Sequence, residues 1–155
     1  MPVPVLFQYP GLLPAESAIF RAWAAANPDR FETVDFNTRI GPGFDPGPTW
    51  TPSQRQNAIL NTQWRIDAIG WLRGQPTLIE VKYRAGTTAL GALLGYRHHY
   101  TQAYPQFPNP PLMLIAKSLQ PNIQDPLQAF GIQVELASPE RVTFPPSTVS
   151  KSAGI

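Results

Sequence analysis

No cysteine occurs among the 155 residues. Disulfides and thiolate metal sites are therefore excluded, and cysteine usage leaves the compartment open. Histidine is almost as scarce. The two residues present, His98 and His99, are adjacent. On a helix they point about 100° apart and do not chelate one ion together, so surface or partner contacts are their expected use. Charge is also sparse, at 14% of residues with a net +2. That excludes a disordered polyacidic or polybasic chain, and any nucleic-acid groove has to be local. No apolar run approaches the roughly 20 residues of a membrane-spanning helix. The first residues lack the basic start and apolar stretch of a signal peptide. No membrane partner is expected.

Proline, by contrast, is abundant: 19 residues, gathered in loops and at both ends. A hydrophobic share of 43% at this length predicts one domain with a real core. We divide the chain into a Pro-rich arm (1–13), the domain itself (14–137) and a Pro- and Ser-rich tail (138–155). Arm and tail are the expected contacts for a protein partner or a second copy.

Pro14-Ala15-Glu16-Ser17 opens a helix, since proline suits a first turn and Glu16 complements the helix dipole. Ile19, Phe20 and Trp23 give it an apolar face, and Asn27-Pro28 stops it. Residues 31–40 read as a first strand. Residues 41–53 form a long loop, the kind that is often functional or a contact surface. Residues 54–63 are ambiguous: mildly helical at first, then possible strand. A hairpin follows, with strands at 64–72 and 77–84 joined by Arg73-Gly74-Gln75-Pro76. A helix runs from about Thr88 to Tyr104, and Pro105 ends it. Residues 111–116 read as a short buried strand. A short helix is expected at 123–130 with Gly131 as its C-cap, then a last strand at 132–136. The order predicts an α/β domain of three layers, with a central mixed sheet flanked by helices.

The hairpin carries the chemistry. Asp67 stands in its first strand and Glu80-Val81-Lys82 in its second. Charges inside an apolar strand cost several kcal/mol unless they are paired or bind a metal. Strand alternation puts Glu80, Lys82 and Arg84 on one face. With the turn centred between Gly74 and Gln75, Asp67 faces Lys82, and Glu80 lies diagonally from Asp67. Such neighbours are roughly 5 to 8 Å apart. The opposite face, Ile66, Ala68, Leu72, Ile79 and Val81, is then core. Two carboxylates at this spacing suit Mg²⁺, which binds through one or two carboxylates plus a phosphate. Lys82 is placed to position a water or to stabilise developing negative charge.

Asp67, twelve intervening residues, then Glu80-Val81-Lys82 resembles the PD-(D/E)XK nuclease superfamily. The element order of residues 14–117, helix-strand-strand-strand-helix-strand, is similar to that family's core. The resemblance covers about two thirds of the chain. It implies a restriction-endonuclease-like fold and Mg²⁺-dependent cleavage of DNA, with Mn²⁺ as a substitute. It implies metal binding by Asp67 and Glu80, with the Val81 carbonyl joining, and catalytic assistance from Lys82. Glu16 matches the first-helix Glu of many members. The chain departs from the pattern at Ile66, where proline is common, and at Ala92, where RecB-like members carry Gln. Tyr96 fits their helix Tyr, and Gln102 stands further along that helix. A bacterial or phage-infected cytoplasm is the implied setting.

Blander readings stand beside this one. The three charges suit a structural ion-pair cluster, or a retired site with preserved geometry. Arg65, Arg84 and Tyr96 suit nucleic-acid contacts or, equally, solvated edge and core positions. Trp50, Trp64, Trp71 and Tyr83 could stack on bases, with core packing the more ordinary use. The alternative function is a non-catalytic structural or adaptor protein of the same fold, for example in a phage virion.

Overall fold

Pro14 begins the first helix, α1 (Pro14–Ala26), where its missing N–H costs nothing because first-turn donors lack helical partners anyway. The computed structural model describes residues 6 and 8–139. The expected tail (138–155) lies almost wholly outside them. Glu16 Oε1 accepts the Leu13 N–H at 3.1 Å and closes the first turn. Helical spacing then gathers Ile19, Phe20 and Trp23 on one buried face. Burying a side chain such as Ile19 or Phe20 contributes roughly 1.5–3 kcal/mol.

Among the described residues, five strands form one sheet in chain order: β1 (Thr33–Ile40), β2 (Trp64–Leu72), β3 (Gln75–Ala85), β4 (Leu112–Leu119) and β5 (Ile132–Leu136). The first three are antiparallel neighbours, and β3, β4 and β5 run parallel. Parallel neighbours need crossovers, supplied by α3 (Thr87–Ala103) and α4 (Gln124–Ala129). Gly131, at φ 72°, takes the left-handed position just past α4, as its place in the sequence predicts.

Apolar side chains line both faces. On the α1 face, Phe20 and Trp23 meet Ala68, Ile79, Val81 and Ile115. On the other face, Leu93 of α3 and Leu127 of α4 join the cluster of Ile66, Ile69, Leu78 and Leu114. The protein is thus α/β, with a mixed five-stranded sheet flanked by helices, compatible with three layers.

Four expectations need correcting. The ambiguous stretch is a helix, α2 (Pro52–Thr62), started by Pro52 and by reciprocal bonds between Thr51 and Gln54. It buries none of its residues. The hairpin turn is tighter than expected. Arg73 and Gly74 have φ of 52° and 73°, so they alone make the turn, and Gln75 already pairs with Leu72. The turn centre therefore moves one residue earlier, and the register places Glu80, not Lys82, across from the Asp67 position. Face parity survives because the partner shifts by two residues. The expected core face also divides: Ala68, Ile79 and Val81 face α1, Ile66 lies in the α3-side core, and Leu72 is exposed. Finally, the core does not begin at residue 14. Tyr9 and Leu12 are buried in the α1-side core, and Tyr9 N donates to Ser17 Oγ at 3.1 Å.

Candidate active site

Alternation fails at one point in β2. Ile66 packs on the α3 side and Ala68 on the α1 side, although two residues apart should share a face. Asp67 sits at the break. Pairing with β1 passes from Phe36–Ala68 to Thr38–Ile66, skipping Asn37 and Asp67. Pairing with β3 ends at Ala68–Ile79. Asp67 is thus the residue of β2 that belongs to neither ladder. Opposite it, Asn37 adopts φ 55°, a left-handed conformation that asparagine tolerates better than most residues.

The carboxylate substitutes for the missing ladder. Asp67 Oδ2 accepts the Val81 N–H at 2.9 Å. An unpaired amide there would cost about 1–3 kcal/mol, so the bond both anchors Asp67 and keeps the two strands together as their backbones part. The Val81 side chain is in the α1-side core. Its backbone N–H is what meets Asp67.

Glu80 is 3% exposed, in the middle of β3 beside Leu114 of β4. Its Oε2 accepts the Tyr96 hydroxyl of α3 at 3.1 Å. Burial, then the neighbouring Asp67 carboxylate, push the Glu80 carboxyl up to about 10, against the opposing effects of Lys82 and the Tyr96 hydroxyl. Metal-free, Glu80 therefore holds its proton at neutral pH, and one proton offsets the crowding of two carboxylates. The Tyr96 hydroxyl is also raised, by burial first and by Glu80 next.

Glu16 and Lys82 complete the neighbourhood. Burial raises the Glu16 carboxyl; the Leu13 N–H opposes this, Asp67 adds to it and Lys82 counters it. Asp67, Glu80, Lys82 and Glu16 are thus brought within electrostatic reach of one another. Lys82 is half-buried and makes no ion pair within 4 Å among the described residues. Its charge is left for another group. No set of three or more His, Cys, Asp or Glu residues among those described is placed to hold a metal ion. The donor set is two carboxylates and backbone. That still fits Mg²⁺, which keeps most of its waters, whereas it would not cage Ca²⁺ or Zn²⁺.

Other expected residues fall elsewhere. Tyr96 is only 6% exposed, and its hydroxyl donates to Glu80. Trp64 lies on α3, edge-on to Tyr96 and His99, where Gly95 leaves room for its ring. Trp71 donates to Asp35 Oδ2 and packs on Phe107. Gln102 lines a cavity of about 560 Å³ with His98 and His99, away from the carboxylates. Arg65 and Arg84 are exposed. Sequence reasoning missed Asn37, whose mid-strand asparagine was the available signal, and the Tyr96–Glu80 bond, which needs tertiary structure.

No helix among the described residues is long and apolar enough to cross a membrane. No protein-family model, curated protein or solved structure matches this chain.

Proposed function

We propose that the protein is a divalent-metal-dependent nuclease of the PD-(D/E)XK type, with a restriction-endonuclease-like core. The observation that carries this reading is Asp67. It is withdrawn from both ladders, held by the Val81 amide, and directed to a buried Glu80 that must otherwise keep a proton. A structural ion-pair cluster would instead pair its lysine, and Lys82 makes no ion pair among the described residues.

Asp67, Glu80 and the Val81 carbonyl would hold Mg²⁺ or Mn²⁺, which supplies Lewis-acid polarisation of the phosphodiester. The protein's own groups do the rest. The Val81 N–H fixes one carboxylate and the Tyr96 hydroxyl the other, so both are preorganised. Lys82 places a positive charge where negative charge develops on the phosphate and orients the attacking water. Glu16 accepts from Leu13 N and can hold water at the rim of the site.

Cleavage of single- and double-stranded DNA with Mg²⁺ or Mn²⁺ tests the reading. Wild type should cleave, and Lys82→Ala and Glu80→Gln should lose at least about a hundredfold in rate. Equal activity in both variants would sink it. A second reading, a non-catalytic adaptor of the same fold, is favoured by α2, an 11-residue helix that buries nothing of its own. Helices this short draw most of their stability from packing. An inert protein that self-associates through α2 in size-exclusion runs would support that alternative.

A further inference from the structure

Arg39 and Arg65 are directly opposed in the β1–β2 ladder, one step from its closing pair Ile40–Trp64. Directly opposed strand residues share a face, with Cβ atoms about 4.5–5.5 Å apart. Both arginines are exposed, and neither makes an ion pair or side-chain hydrogen bond among the described residues. Like charges in this arrangement are destabilising. Two other described arginines do face acids: Arg55 grips Asp45, with Nη2 to Oδ2 at 2.6 Å, and Arg30 meets Glu135 at 2.9 Å. Among the described strand pairings, Arg39–Arg65 is the one that sets two guanidiniums against each other, and neither is ion-paired to an acid.

Its place gives the pair a use. Arg65 precedes Asp67 by two residues on β2, roughly 6.6 Å along a strand. That is the scale of neighbouring phosphates on one nucleic-acid strand. Ile40 and Ile66 both face the α3-side core, so Arg39 and Arg65 project from the other face, where Glu16 also acts on Asp67. Guanidiniums present forked donors that match phosphate oxygens.

We infer that Arg39 and Arg65 form a two-guanidinium clamp for the nucleic-acid phosphate adjacent to the one held at Asp67 and Glu80. The inference rests on the nuclease reading for its substrate. An anion between the two arginines relieves their repulsion, so binding and fold stability are coupled at this pair. Arg39 joins the substrate-binding residues, and Arg65 acquires a specific partner.

The test uses the full chain and a short DNA oligonucleotide, single- and double-stranded, with Ca²⁺ so that nothing is cut. Affinity is measured across salt for wild type, Arg39→Gln, Arg65→Gln and the double variant. Arg73→Gln is the control: it removes the same charge from the exposed turn at the far end of the hairpin. Each clamp substitution should flatten the log–log salt slope by about one, and the double variant by about two. Arg73→Gln should leave it unchanged. Thermal melts should show both single variants folded and slightly more stable without DNA. Unchanged slopes at Arg39 and Arg65 overturn the clamp, as does an equal loss in Arg73→Gln. Cleavage with Mg²⁺, run alongside, separates the two claims. Cut DNA with unchanged slopes removes the clamp and keeps the nuclease. Flattened slopes with uncut DNA keep the clamp and remove the nuclease.

Discussion

Glu80 shows how one buried side chain sets the terms for the site. Its carboxyl is raised from the ordinary 4.5 to about 10 when no metal is present. The folded chain therefore binds that proton more tightly than the unfolded chain. Stability from this group is complete below pH 4.5 and is lost as pH rises toward 10. Glu80→Gln keeps the shape and removes the titration. In EDTA the variant should melt above wild type at neutral pH, by roughly 3 °C or more, with a gap that widens as pH rises. Adding Mg²⁺ should raise the wild-type melting temperature and leave the variant's unchanged, because a ligand stabilises only the state that binds it. Melting curves against pH, with and without metal, check both. Asp67 separates its two duties in a different way. Asp67→Asn retains an oxygen for the Val81 amide and loses the charge. It should melt close to wild type and cleave no DNA. Asp67→Ala also strands the amide and should cost a further 1–3 kcal/mol or so in urea unfolding.

At the scale of elements, α3 serves the site through its spacing. Leu93 faces the core, Tyr96 reaches Glu80, and Gly95 clears a place for Trp64. A Cβ on Gly95 would lie 2.0 Å from the Trp64 ring, so ring or helix must move. Gly95→Val should cost about 1–3 kcal/mol in urea unfolding. In a Trp64→Ala background that penalty should largely vanish, and a double-mutant cycle measures the coupling. Additive costs would mean that the helix, not the indole, yields. The hairpin teaches a related lesson about register. Arg73-Gly74-Gln75-Pro76 resembles a four-residue connection, yet the left-handed Arg73 and Gly74 close it in two. Pro76 then sits opposite Trp71 within the pairing. Element types were legible from periodicity and proline placement, whereas the exact turn depended on an arginine taking φ 52°, which composition does not announce. The helical character of residues 52–62 was partly hidden for a similar reason. A helix without a buried face has no apolar stripe to reveal it.

For the whole molecule, the amino-terminal segment changes meaning. Read as sequence it is a Pro-rich arm; folded, its residues Tyr9 and Leu12 join the α1-side core. Tyr9 is fully buried, with its ring 4.8 Å from Phe20 and 5.1 Å from Phe36. Just beyond, Gly11 at φ 79° passes so close to Asn37 that an added Cβ would fall 2.6 Å from its side chain. The segment thus crosses β1 beside the break that exposes Asp67. Tyr9→Ala should cost about 3–5 kcal/mol, as for a large aromatic removed from a core. Chemical denaturation checks this, and a loss below about 1 kcal/mol would return the segment to the status of an arm.

The sequence alone determined the kinds and order of nearly all the elements. It also determined that two carboxylates and a lysine share one hairpin, because periodicity, proline and turn residues act locally. Tertiary structure decided how those groups meet. The two-residue turn set a register that brings Glu80 toward Asp67, and the loss of pairing at Asn37 and Asp67 freed the carboxylate for the Val81 amide. Burial against α3 then kept a proton on Glu80 and drew Tyr96 to it. Each of these depends on contacts between segments far apart in the chain, where burial and repulsion act only after the sheet has closed.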